Sequence, residues 1–368
     1  MTHARSSTSS SKLNDQQPQD PARKYGFPLA AVMAVVALLV IEGGLVWKNR
    51  HYWWDANYIL LEKKRDMLTS GGAPDDVAIF GSSRFYHVRP QIVKSIIGED
   101  KKVTNYSWGW CGVETYEAML RGLIQNDRKP RVLILDGYPE IYGYPGHLMS
   151  ITSHDVSRVG FLQTTPKMAA LRTVAGLKEW KTLWGCLTHY ATPPTAANRA
   201  GLIAAGKKWL AGEGLALPRD YDLMVTSWEE QGWFLFTPPD RVAGTEEFLE
   251  LEKHTGPYKE YDNGAIEHAY ERVIRLAQKN DIRVILLPAP NNTYVYEKFT
   301  KHGVYLKYDR MLHKLEADYP NFTAPPPRWF AWPGTLGDSN HVNAAGAEKH
   351  LQVLTDLLRE QNIAATFE

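Results

Sequence analysis

The chain has little cysteine. Cys111 and Cys186 are the only two in 368 residues, which rules out a disulfide framework and leaves room for at most one bridge, in an oxidising compartment. It also lacks charge of one sign: the formal net charge is +1 and the basic residues are scattered, so there is no electrostatic footprint for nucleic acid. No glycine-rich loop ending in Lys-Ser/Thr is present to cradle a phosphate. The closest approaches to a metal site, His147 with His154 and His341 with His350, lack a third well-spaced ligand, so neither a metal nor any other cofactor is expected. Internal repeats are absent as well.

Aromatic residues are plentiful. Twelve tryptophans and nineteen tyrosines occur, and Trp108, Trp110, Trp228, Trp233, Trp329 and Trp332 lie among glycine and proline in loop-like sequence. Flat aromatic faces beside a site suit sugar rings, and plain packing accounts for the same residues equally well.

Composition divides the chain. Residues 1–25 are rich in Ser, Gln, Asp and Pro and too poor in apolar side chains to offset the entropy of ordering, so they are expected to be a disordered tail. Phe27 to Trp47 carries an uncharged run as far as Ile41. At 1.5 Å per residue it reaches about 31 Å, the depth of one hydrocarbon core. A single uncleaved transmembrane anchor over 26–47 is expected, because no small-x-small cleavage site followed by polar sequence appears. Arg23 and Lys24 flank one end, Lys48 and Arg50 the other, so flanking charge does not fix the orientation. The expectation adopted is a cytoplasmic N-terminus and an extracytoplasmic or periplasmic domain, argued from function. Tyr58 to Thr69, within the link 48–75, reads as a charged connecting helix.

From Asp76 onward strands and helices alternate. Apolar runs at 76–80, 103–107, 131–136 and 283–287 read as strands, and helices are expected near 114–125, 264–280, 304–318 and 344–360. This succession predicts an α/β domain over 76–368, a parallel sheet covered by helices on both faces, interrupted by an insertion at about 145–260 where periodicity weakens. In such sheets reactive groups gather at the C-terminal strand ends, where Gly81, Asp136 and Asn291 fall.

Two motifs carry chemistry. In Gly81-Ser82-Ser83-Arg84, a glycine at a strand end lets the chain turn so that a hydroxyl projects from the sheet edge near backbone N–H groups. Alone, Gly-Ser-Ser also reads as an ordinary turn or helix cap. In Asp338-Ser-Asn-His341-Val-Asn343-Ala-Ala-Gly346, a carboxylate and an imidazole three residues apart can converge, one ring nitrogen on Asp338 and the other on a serine. The same stretch reads as a helix start with Asn343 as N-cap, and the two readings are compatible. Together the motifs supply the groups that acyl transfer to serine requires.

The pair of motifs resembles the first and last blocks of the SGNH/GDSL hydrolase superfamily, and Gly109-Trp-Cys-Gly112 after the second strand resembles its second block. The resemblance covers about residues 76–140 and 264–360. It implies an SGNH-like three-layer fold with Ser83 as nucleophile, His341 as base, Asp338 as its orienting carboxylate, and the Ser83 and Gly112 N–H groups in the oxyanion hole. One departure stands out: the family's third-block asparagine is replaced by Asp136, whose carboxylate would repel an oxyanion, so either another donor such as Asn291 or Asn292 substitutes, or catalysis is weaker or different. Arg84, Trp110 and Asp136 are candidate substrate-binding residues; pairing with a nearby aspartate is the plainer account of Arg84. The anchor, Gly-Ser-Ser in place of Gly-Asp-Ser, and the missing asparagine resemble the envelope acyl-transfer branches, the alginate O-acetyltransferase proteins and D-alanyl transfer proteins. That likeness implies an acylated envelope polysaccharide as substrate and a membrane-bound O-acyltransferase as partner. The alternative is a non-catalytic anchored scaffold that binds polymer or that acyltransferase through the aromatic insertion.

Overall fold

The computed structural model describes residues 26–47, 72–107, 113–137, 237–248 and 264–368, with Lys64, Met67, Leu68, Lys207, Leu210–Gly212, Trp233 and Leu235 besides. The expected tail, Trp108 to Gly112, Cys186 and most of the 145–260 insertion lie outside the described residues. The chain divides into two units, Met1–Arg50 and His51–Glu368.

In the first unit, α1 (Gly26–Trp47) is one 22-residue helix. It exposes Leu29, Val32, Met33, Leu39 and Val40, a pattern that no aqueous surface helix favours. Among the described residues no helix is long and apolar enough to cross a membrane.

The second unit is built on five parallel strands: β1 (Val77–Phe80), β2 (Val103–Asn105), β3 (Val132–Gly137), β4 (Arg283–Pro288) and β5 (Phe322–Thr323). They lie in the order β2-β1-β3-β4-β5, and every pairing is parallel. β1, β2 and β3 are buried at every position, as strands covered on both faces must be. Alternation sorts their side chains. Phe80, Leu133, Leu135 and Leu286 enter one core with Tyr116, Met119 and Leu123 of α3 (Val113–Gln125), Val273 of α4 (Gly264–Gln278) and Tyr308 and Leu312 of α6 (Val304–Asp318). Ile79, Ile134, Ile285 and Leu287 enter a second with Val93 and Ile97 of α2 (Pro90–Ile97) and Leu354 and Leu358 of α7 (Ala344–Glu360). Two cores on opposite faces make three layers, as the alternating pattern predicts. Truncating a central residue such as Leu135 to alanine costs about 2–5 kcal/mol.

Several elements differ from expectation. α2 starts at Pro90, whose fixed φ suits a first helical position. α5 (Thr293–Lys301) starts immediately after the loop at 288–292. In the connecting segment Lys64 and Leu68 are helical and fully buried, and the Lys64 ammonium donates to the Asn105 carbonyl. Burial alone brings the Lys64 amine down to about 7.

The order of the sheet reverses at β1, which has β2 on one side and β3 on the other. The crevice at the carboxyl ends of these strands is where an open parallel sheet binds its ligands.

Candidate active site

Gly81 ends β1, and its role is close approach. A Cβ there would lie 2.6 Å from the Phe85 Cβ and 2.8 Å from the Ser107 Oγ. The chain then enters a 3-10 turn, Ser83–Phe85, with Ser82 as N-cap accepting the Arg84 N–H. Ser82 is buried and Ser83 half-buried, so of the two hydroxyls Ser83 is the one that a substrate can reach.

The other half of the site is a tight loop. Leu336 and Val342 form an antiparallel bridge, and the Gly337 N–H donates to the His341 carbonyl at 2.8 Å. Asn343 caps α7 by accepting the Gly346 N–H at 2.9 Å, and its own N–H donates to the Thr335 carbonyl at 3.1 Å. Gly346 is required by space: a Cβ would sit 2.0 Å from the Thr335 oxygen. These bonds fix the short segment that carries both Asp338 and His341.

Ser83 and His341, 258 positions apart, meet at 2.8 Å between Oγ and Nε2. On the ring's other side Nδ1 donates to Asp338 Oδ2 at 2.7 Å. Asp338 Oδ1 accepts the backbone N–H groups of Asn340 and His341, each at 2.7 Å. Burial pushes the Asp338 carboxyl up, but the hydrogen bond and charge of His341, with the two backbone donors, outweigh it and hold the group below the usual carboxylate range. An ionised Asp338 keeps the Nδ1–H tautomer in place, leaving Nε2 as the acceptor for the Ser83 proton. No described group accepts from the Ser83 backbone N–H, as an oxyanion donor requires.

Asp136 is placed otherwise than expected. At the C-terminal end of β3 it is 1 % exposed; Oδ2 accepts the Ser82 backbone N–H at 2.8 Å and Oδ1 accepts from the Tyr116 hydroxyl. Burial pushes its pKa up against the opposing pull of these donors and of the Arg84 charge. The carboxylate is therefore tied to the peptide that precedes Ser83.

The remaining candidates separate. Arg84 is buried: its Nη2 donates to the Ala289 carbonyl at 3.2 Å and to Asn291 Oδ1 at 3.0 Å, and its charge acts on the Asp136 carboxyl. Asn291 Nδ2 in turn donates to the Tyr305 hydroxyl at 3.3 Å. Asn292 caps α5, Oδ1 accepting from the N–H groups of Tyr294 and Val295 and Nδ2 donating to the Ser339 carbonyl. Both amides are thus engaged by their neighbours, Asn291 by Arg84 and Tyr305 and Asn292 by the start of α5 and Ser339. Gly112 and Trp110 lie outside the described residues. Trp329 stacks on Tyr305 and Trp332 on Phe330, so these two serve packing.

Sequence reasoning missed Asn105, whose amide donates to the Phe85 and Val88 carbonyls at 2.9 Å each and clamps the segment that follows Ser83. It also missed His87 and His350, a buried imidazole pair behind that segment, Nε2 to Nδ1 at 2.7 Å. The only available signal was a histidine on the apolar stripe of α7.

Among the described residues no cluster of histidine, cysteine or carboxylate could hold a metal ion. Compared with known families the chain matches none, and no curated protein matches it in sequence.

Proposed function

We propose that the chain is a serine-dependent acyl-transfer enzyme of SGNH-like type, carrying an O-acetyl or related acyl group to or from a cell-envelope polysaccharide. The observation that carries this reading is the unbroken line Ser83, His341, Asp338, with both contacts at hydrogen-bond length. His341 Nε2 takes the Ser83 proton as Oγ attacks the acyl carbonyl carbon. The carbonyl oxygen gathers negative charge facing the Ser83 N–H, with the Gly112 N–H as the second donor that the family resemblance implies. Collapse expels the donor alcohol, which leaves with the proton from His341 and an acyl ester on Ser83. An acceptor hydroxyl then attacks that ester, gives its proton to His341 and departs as the new ester, and the same proton returns Oγ to its starting state. With water as acceptor the product is the free acid.

The anchored, extracytoplasmic setting and the polysaccharide acceptor rest on the apolar run of α1 and on the likeness to the envelope acyl-transfer branches, as does partnership with a membrane-bound O-acyltransferase. A non-catalytic scaffold drew its support from a carboxylate at the oxyanion position; that support weakens because Asp136 accepts from the Ser82 N–H. Replacing Ser83 with alanine, then measuring both envelope-polymer acyl content and ester cleavage by the purified chain, tests the reading. Both are expected to collapse; unchanged values in both assays contradict it.

A further inference from the structure

A second feature lies beside the triad. Between the segment that follows Ser83 and the first turns of α7 is a small recess lined by His87, Arg89, Trp233, Ala344, Ala347 and Glu348. His87 and His350 are buried, 4 % and 0 % exposed. Burial lowers both imidazoles, His350 to about 3 and His87 well below its ordinary value, the latter helped by the charges of His350, His341 and Arg89. Both are neutral, so each ring carries one proton.

The hydrogen bonds place those protons. The Pro288 carbonyl can only accept, so His350 Nε2, 2.8 Å away, carries the hydrogen. His350 Nδ1 is then a lone pair, and the 2.7 Å contact makes His87 Nε2 its donor. His87 Nδ1 is left as a bare acceptor in a residue that lines the recess, with no partner among the described residues. An unpartnered acceptor on a lining residue selects a ligand that presents O–H or N–H. At the rim the Arg89 guanidinium lies 4.6 Å from the Trp233 ring centroid; it and Glu348 oppose each other in sign, and neither has an ion-pair partner among the described residues. The charges cancel, and the Trp233 ring, the Leu235 side chain and two alanine methyl groups complete the wall.

We infer that this recess is the acceptor subsite: it takes a neutral, hydroxyl-bearing group, a sugar or polyol, with one hydroxyl donating to His87 Nδ1. The inference rests on the acyl-transfer reading and adds where the acceptor is held. An occupied recess brings a hydroxyl to the Ser83 ester in competition with water. That hydroxyl's oxygen bonds to the acyl carbon, its proton passes to His341, and Ser83 Oγ leaves and takes that proton up.

The test is a partition measurement on the full chain with p-nitrophenyl acetate as donor and glycerol as the probe acceptor. The ratio of acetylglycerol formed to acetate released is internal to each variant, so a slower enzyme still reports. In the unsubstituted chain the ratio is expected to rise in proportion to glycerol, with a slope set by how well the recess holds the acceptor. His87→Phe, which removes the acceptor nitrogen, and Ala344→Leu, which fills the recess without touching the imidazole pair, should each lower it about tenfold. A slope that is the same in either variant as in the unsubstituted chain overturns the subsite. No Ser83-dependent release of p-nitrophenol at all overturns the acyl-enzyme reading instead, and the subsite with it.

Discussion

The Asp136 carboxylate accepts the backbone N–H of Ser82 at 2.8 Å, one peptide before the Ser83 hydroxyl that faces His341. Its other oxygen is held by Tyr116, from a helix on one face of the sheet. A bond to a side chain changes nothing in the chemistry unless that side chain sets a geometry, and here it sets the direction of the Ser82–Ser83 peptide and so of the Ser83 N–H.

Asp136→Ala should therefore lower kcat about a hundredfold, the effect of a small misplacement of reacting groups, with KM little changed. Asp136→Asn keeps an acceptor for Ser82 and a donor for the Tyr116 oxygen, and should stay within about tenfold of the unsubstituted enzyme. Steady-state kinetics with a chromogenic ester reads both. An alanine variant with full kcat removes the positioning role.

Asp338→Asn should lower kcat by about 10⁴, because an amide favours the wrong imidazole tautomer while leaving the shape of the site intact. The folded pKa of Asp338 is depressed, so its stabilising contribution is complete above the unfolded value of 3.8 and is lost as pH falls through the lower folded value. Acid inactivation above about pH 4 is then not the protonation of Asp338, and the asparagine variant should keep the acid unfolding profile of the parent down to that pH.

The imidazole pair gives stability its own pH dependence. Unfolded, His87 and His350 bind protons below about 6.5; folded, His350 resists protonation to about 3 and His87 is also well depressed. The unfolded state thus holds more protons below about pH 6.5, and stability is lost as pH falls from there, down to about pH 3 for His350. The charges of Arg84, Arg89 and His341 act in the same direction, against protonation. Urea unfolding across that range should show the slope, and His350→Gln should reduce it. A flat profile in the parent contradicts a neutral buried pair.

Gly346→Ala places a methyl group against the Thr335 carbonyl, 2.0 Å from its oxygen. Backbone must shift to relieve this, at a cost of about 1–3 kcal/mol, and the shift falls on the loop that carries His341. Lower thermal stability together with lower kcat is expected, and an alanine variant with unchanged Tm sets the packing argument aside.

Much of this was legible in the sequence because it depends on local pattern. Four of the five strands and α3, α4, α6 and α7 follow from apolar periodicity, and the Asn343 cap follows from an asparagine before Ala-Ala-Gly. Ser83, Asp338 and His341 were recognisable because each sits in a short motif whose chemistry needs those neighbours. β5 was invisible at two residues, and α2 is too short for a clear period. The roles of Asp136, Arg84, Asn291 and Asn292 depended on where strands from distant parts of the chain ended relative to one another. A carboxylate at the place of an oxyanion donor looked repulsive until the neighbouring backbone N–H was seen to be its partner. His87 and His350 pair across 263 positions, a relation that no local spacing encodes.

The most direct test of the account is to trap the acyl-enzyme. The full chain is mixed with p-nitrophenyl acetate, quenched in acid within the first turnovers, digested and analysed by mass spectrometry. One acetyl group is expected on the peptide containing Ser83, localised to that residue by fragmentation, absent in Ser83→Ala and slow to form in His341→Ala. An acetyl group on Ser82 or on another residue, or equal labelling in Ser83→Ala, contradicts the central claim that the hydroxyl facing His341 is the nucleophile.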